Sequence, residues 1–227
     1  MSTESAFRFD IILHNISFLL SGVGMTLLVS ISGLLIGMII GLIIALLRLS
    51  SNKLVGALGL LFVNFFQSTP LLVLLLWTYF AVPILIGRSM PALVAGIGVM
   101  SLFSGAYLSE AFRAGILGVS KGQWEAARAM GMRDTSVLRR VILPQALVRV
   151  LPPITSIWVS TIKESSLISA ISLEELMYKS MSLAAYSLRP VETFTVCAVI
   201  YFSIIYPFIL LADYLYRRLQ RRRRQLA

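Results

Sequence analysis

Lys121-Gly122-Gln123-Trp124-Glu125-Ala126-Ala127-Arg128-Ala129-Met130-Gly131, with Leu143-Pro144 beyond it, is a polar and basic stretch in a chain that is otherwise mostly apolar. Ala126, Ala127 and Ala129 are strong helix formers. They predict a helix over 122–131, with Glu125 near its start, where a negative charge suits the helix dipole. Gly131 tolerates the left-handed conformation that ends a helix. Asp134 or Thr135 is then expected to cap a second short helix through Val137, Leu138 and Val141, restricted by Pro144. The expectation is two short helices joined by a glycine turn, lying outside a membrane and shaped to press into a groove on a partner.

The flanking sequence supplies the membrane. Hydrophobic residues make up 58% of the chain and charged residues 13%, against roughly 25% charged residues in soluble domains. A bilayer core takes ~20 apolar residues per helix. Asn15 to Leu47 is uncharged, and is too long for a cleaved signal peptide. Leu54 to Gly87 is uncharged but interrupted by Gln67, Pro70 and Pro83, so the second span is expected from about Gly56 to Phe80. The third runs from Pro91 to about Ala111. The fourth follows Pro152-Pro153 and holds Lys163 and Glu164; the fifth covers Thr193 to Ala212. The fold class expected is an all-α membrane protein: five transmembrane helices (16–217) with a cytoplasmic two-helix loop at about 118–147.

The net charge is +10, and its distribution is one-sided. Arg48 and Lys53, the seven cations from Arg113 to Arg149, and Arg217, Arg218 and Arg221 to Arg224 share one side. The other side has only Arg8, Arg88, Lys179 and Arg189. Basic loops stay cytoplasmic, so residues 1–15 are expected outside, with Phe7, Phe9 and Ile11 to Leu13 at the interface. The tail, 218–227, is expected inside against anionic headgroups rather than on nucleic acid. Gly33, Gly37 and Gly41 share one helix face, for packing within the chain or for a subunit contact. One cysteine, Cys197, and one histidine, His14, leave no disulfide within the chain and no Cys/His metal site. They read as packing and membrane-edge polarity.

Glu125-Ala126-Ala127, three residues, Gly131, nine residues, then Val141-Ile142-Leu143-Pro144 resembles the coupling loop of the membrane subunits of ABC importers. The departure is Val141, where isoleucine is usual. Lys121 to Trp124, Leu143 to Leu147, Leu151-Pro152-Pro153, Ala106 to Glu110 and Lys163 to Leu167 resemble the polar amino-acid branch of that family. The likeness covers roughly residues 16–217. It implies a type I permease fold in a bacterial inner membrane and a second permease copy or homologue. It also implies two ATP-binding subunits, which would bind ATP and Mg, and an extracytoplasmic solute-binding protein. Glu125, Ala126, Ala127, Gly131, Leu143 and Pro144 would then couple ATPase motion to alternating access.

Lys163 and Glu164 lie about 14 residues beyond Arg149, near mid-bilayer at 1.5 Å per residue. A charge there costs ~2.5–3.5 kcal/mol on insertion scales. Ser165, Ser166, Ser169 and Ser172 suggest a locally wetted or broken helix. Two readings stand: Glu164 receives a solute ammonium with Ser165 hydrogen bonding beside Lys163, or a Lys163–Glu164 or interhelix charge pair holds two helices in register. Gln67-Ser68-Thr69-Pro70 is a second candidate lining, at a kink where Pro70 frees a carbonyl. The family often has a basic residue where Gln67 stands, so a carboxylate-binding role there is not implied. Glu110 and Arg113 read as gating or structural, and Glu174-Glu175 as solvated or as a contact for the binding protein. No catalytic set and no phosphate loop occur. The chain therefore reads as a transport subunit and not an enzyme, the alternative being an ATP-independent carrier or channel.

Overall fold

The computed structural model describes residues 8–225; Phe7 and the two C-terminal residues of the tail lie outside them, as do the side chains of Arg221 to Arg224. Among the described residues the chain is helical, with no strand. Four helical stretches are long and apolar enough to cross a bilayer: Ile16–Arg48, Ala92–Leu117, Asp134–Ile171 and Pro190–Arg218. A bent pair supplies a fifth crossing.

Short α1 (Phe9–His14) leads through Asn15 into α2 (Ile16–Arg48). The glycine face of α2 is an intrachain seam. A Cβ on Gly33 would lie 2.9 Å from Met100 Cβ, on Gly37 2.1 Å from Ser104 Oγ, and on Gly41 2.8 Å from Leu108 Cβ. All three neighbours belong to α5 (Ala92–Leu117). Absence of side chains lets the backbones approach closely enough for Ser104 Oγ to donate to Gly33 O at 3.0 Å. Lipid gives no hydrophobic drive between helices, so this contact depends on packing and short polar links. The opposite face of α2 leaves Leu35, Ile39, Ile43 and Leu46 exposed, which suits lipid and not water.

The second crossing differs from the expected single span. It is two helices, α3 (Lys53–Ser68) and α4 (Leu71–Ile86), bent by 100°. Pro70 disfavours helical backbone in the residue before it, and Thr69 is extended at φ −100°, ψ 128°. Thr69 Oγ1 donates to Phe65 O at 2.7 Å, occupying a carbonyl at the end of α3. The expected kink is thus a full break. α4 ends at Gly87, left-handed at φ 67°.

The fourth crossing also starts earlier than expected. α7 (Asp134–Val137) passes through a π turn at Leu138–Ile142 into α8 (Leu143–Glu164) without leaving helical backbone. Pro144 sits in the first turn of α8, where its missing N–H is tolerated. Pro152 and Pro153 lie inside the helix rather than before it. α8 then tightens into a 3-10 segment, Ser165–Ile171, so the helix narrows after Glu164 rather than breaking as its serines suggested. Helix α9 (Leu176–Ser187) precedes α10 (Pro190–Gln225), which carries helix into the basic tail.

Candidate functional site

The loop between the third and fourth crossings contains α6 (Lys121–Ala129). It ends as a glycine-terminated helix should: Gly131 has φ 76°, Gly131 N donates to Arg128 O at 2.9 Å, and Met132 N to Ala127 O at 3.2 Å. Ala127 and Trp124 pack inward with Val137, Ile142 and Ala146. Glu125, Ala126, Gly131, Leu143 and Pro144 are exposed, and Met130 is 81% exposed at the turn. Two expectations fail. Glu125 is the fifth residue of α6, beyond the first turn. The cap position before α7 is Arg133, with no side-chain cap. Asp134 instead accepts from Arg128 Nε at 2.8 Å across the turn, and Arg128 also lies over the Trp124 ring. The second helix of the loop is the root of the fourth crossing, continuous with α8.

Glu164, at the end of α8, opens on a cavity of about 200 Å³ between α5 and α8. The wall from α5 is Phe103, Ser104 and Tyr107; α8 contributes Ser156, Ile157, Ser160, Thr161 and Glu164. Ser156, Ser160 and Glu164 recur every fourth residue and so share one helix face. Thr161 Oγ1 donates to Ile157 O at 2.8 Å. Half-buried Glu164 has no ion pair or hydrogen bond among the described residues. Lys163 points elsewhere, to a space lined by Ser166, Met177, Phe194, Cys197, Ala198 and Tyr201. Successive helix positions lie about 100° apart, so the expected Lys163–Glu164 pair does not form. Ser165 is fully buried and donates to Ile162 O at 2.8 Å, away from this cavity's lining. Gln67, Ser68 and Thr69 do not line it either.

Toward the loop, a second cavity of about 440 Å³ is lined by Tyr107, Glu110, Ala111, Ala114, Gly115, Arg149, Pro153 and Ile157. Glu110 accepts from Arg113 Nη2 at 3.3 Å and is paired with Arg48 at the end of α2. The Arg48 stem lies where a side chain on Gly59 would otherwise sit, since a Cβ there would be 2.7 Å from Arg48 Cγ. Arg48 was not among the residues expected here, because its 62-residue separation from Glu110 carries no local signal.

Glu175 corrects the reading of the outer loop. It is 1% exposed, and it caps α9 by accepting from Tyr178 N at 2.7 Å. It also accepts from Tyr201 Oη at 3.0 Å and Thr26 Oγ1 at 3.3 Å, joining α9 to α10 and α2. Burial pushes its carboxyl above the ordinary glutamate value, despite those donors. Only Glu174 is solvated, paired with Lys179.

Residues 33–225 match the family model described as the inner membrane component of binding-protein-dependent transport systems. The glutamine transport system permease protein GlnP of Escherichia coli is 34% identical over 209 residues, covering 91% of this chain and 93% of that one. The probable amino-acid ABC transporter permease protein YckA of Bacillus subtilis is 33% identical over 201 residues, 88% of each chain. A crystal structure of an amino acid ABC transporter with histidines superposes with a TM-score of 0.88 at 33% identity, covering 94% of this chain and 99% of that chain. A methionine ABC transporter superposes at TM-score 0.77 and 22% identity, covering 90% and 97%, a likeness of fold.

Proposed function

The chain belongs to the family of inner membrane components of binding-protein-dependent transport systems, and we propose that its cargo is a polar amino acid or a related zwitterion. It is a multi-pass permease subunit of an ABC importer, a class that works with an ATPase and a solute-binding protein. Glu164 carries the cargo assignment. It is a carboxylate unpaired among the described residues, on a hydroxyl-lined cavity at the end of a transmembrane helix. An uncompensated charge at that depth needs a partner, and a solute ammonium is the partner of matching charge. The names of the relatives support the same class.

In this reading Ser156, Ser160 and Thr161 line the site with Glu164, and Ser165 shapes the tightened turn behind it. Lys163 serves the α10 side, and Gln67, Ser68 and Thr69 form a second polar surface at the broken crossing. A second permease, identical or homologous, closes the open side of the groove. Two ATP-binding subunits hold ATP and Mg and dock on Glu125 to Gly131 with Leu143-Pro144. Their closure moves α6 and, through the continuous α7–α8 helix, the Glu164 cavity. The N-terminus lies outside and the basic tail in the cytoplasm.

Purification from native membranes in mild detergent, with mass spectrometry of bound chains, tests the assembly. An ATPase with a phosphate loop and one or two kinds of permease are expected. Recovery of this chain folded but alone would contradict the reading and favour an ATP-independent carrier.

A further inference from the structure

The two cavities of the α5–α8 groove meet at two residues, Tyr107 of α5 and Ile157 of α8, which line both. Tyr107 is 38% exposed, and its ring lies 5.1 Å from that of Phe103. It is therefore held from one side and free toward the groove. The charge lining the groove changes at this point. Above it the only ionisable carboxyl is Glu164. Below it Glu110 is already matched by Arg48 and Arg113, while Arg149 has no ion pair among the described residues.

We propose that Tyr107 and Ile157 form the inner gate of the transport pathway, separating an acidic holding chamber from a basic exit chamber. An aromatic ring and a branched aliphatic side chain close a constriction by shape and by excluding water. The tyrosine hydroxyl, which has no hydrogen bond among the described residues, is not needed for closure. The exit chamber favours a solute that carries a carboxylate besides its ammonium, since Arg149 would repel a plain cation.

This inference rests on the transport reading, but its test needs no solute. In a Cys197→Ser background within the assembled complex, Ser160→Cys places a thiol in the upper chamber and Ala114→Cys places one in the lower. Inside-out membrane vesicles without nucleotide are treated with a membrane-impermeant maleimide from the loop side. With Tyr107 intact, the upper thiol is expected to react at least about tenfold more slowly than the lower one. Tyr107→Ala is expected to remove most of that difference by accelerating the upper thiol alone, and Tyr107→Phe to preserve it. If Tyr107→Ala fails to assemble, Ile157→Ala carries the same test. Equal labelling of the two thiols with Tyr107 intact, or acceleration of both by the alanine variants, would overturn the gate. Unchanged slow labelling of the upper thiol in the alanine variants would overturn it too. Those results would leave the amino-acid assignment standing, because that assignment depends on Glu164 and uptake.

Discussion

Arg48, the last residue of α2, pairs with Glu110 on α5, and Glu110 also holds Arg113 one turn further along the same helix. The Arg48 side chain is 9% exposed and that of Glu110 is 37%. One carboxylate therefore bridges two guanidinium groups at the Arg48 end of the seam between the first and third crossings, leaving one net positive charge. Removing it strands both. Breaking a wholly buried pair costs about 3–5 kcal/mol; partial exposure here reduces the expected loss for Glu110→Ala to about 1–3 kcal/mol. Arg48→Ala leaves Glu110 with Arg113 and is expected to lose less. Thermal unfolding in detergent, followed by near-UV circular dichroism, measures both.

The same seam fixes what its glycines tolerate. Gly41→Ala would set a methyl 2.8 Å from Leu108 Cβ and 2.9 Å from Gly105 O. The two backbones must then separate, at a cost of about 1–3 kcal/mol. Gly24→Ala meets nothing within 4 Å and is expected to leave the melting temperature unchanged or raised. Equal melting temperatures for the two variants would remove the seam from the account.

Glu175 makes the α9 end of the fold sensitive to pH. Its carboxyl titrates above the ordinary glutamate value because it is buried. The folded chain therefore keeps this proton to a higher pH than the unfolded chain, whose value is about 4.3. Stability from this group is complete below the unfolded value and declines as pH rises through the folded one. Glu175→Gln, neutral throughout, is expected to lack that decline, so its melting temperature should gain on the wild type as pH rises above the unfolded glutamate value of about 4.3. Glu175→Ala strands Tyr178 N–H and Tyr201 Oη, leaves Thr26 Oγ1 to Gly22 O alone as acceptor, and is expected to lose about 1–3 kcal/mol at any pH.

Gly131 tests the coupling loop. A β-branched residue in left-handed backbone costs about 1–2 kcal/mol. That is enough to distort the turn between α6 and α7 while sparing the membrane helices, with which Gly131 has no close contact. Gly131→Val is expected to insert and fold normally but to lose its ATPase on purification and its ATP-driven uptake. Full uptake by that variant would contradict docking through this loop.

The legible parts of this protein were those set by local chemistry. The α6 helix and its Gly131 end follow from alanine propensity and the needs of left-handed backbone. What the sequence hid was set by tertiary partners. Glu175 looked solvated beside Glu174, yet Thr26 and Tyr201, far away in the chain, bury it. Prolines misled in both directions: Pro70 breaks a crossing, whereas Pro152 and Pro153 ride inside one. Ser156, Ser160 and Glu164, at four-residue spacing, form a helical face that is readable from the sequence, whereas Lys163 and Ser165 point away from it.

Glu164 is where the central claim is most directly exposed. The measurement is ATP-dependent uptake of radiolabelled polar amino acids by the complete complex in proteoliposomes, with Glu164→Gln and Glu164→Asp beside the wild type and assembly verified for each. Loss of a charge-assisted hydrogen bond is worth about 1.5–3 kcal/mol, so Glu164→Gln is expected to weaken apparent affinity roughly ten- to hundredfold, with Glu164→Asp retaining more of it. Wild-type affinity and rate in Glu164→Gln would show that the carboxylate does not hold the solute.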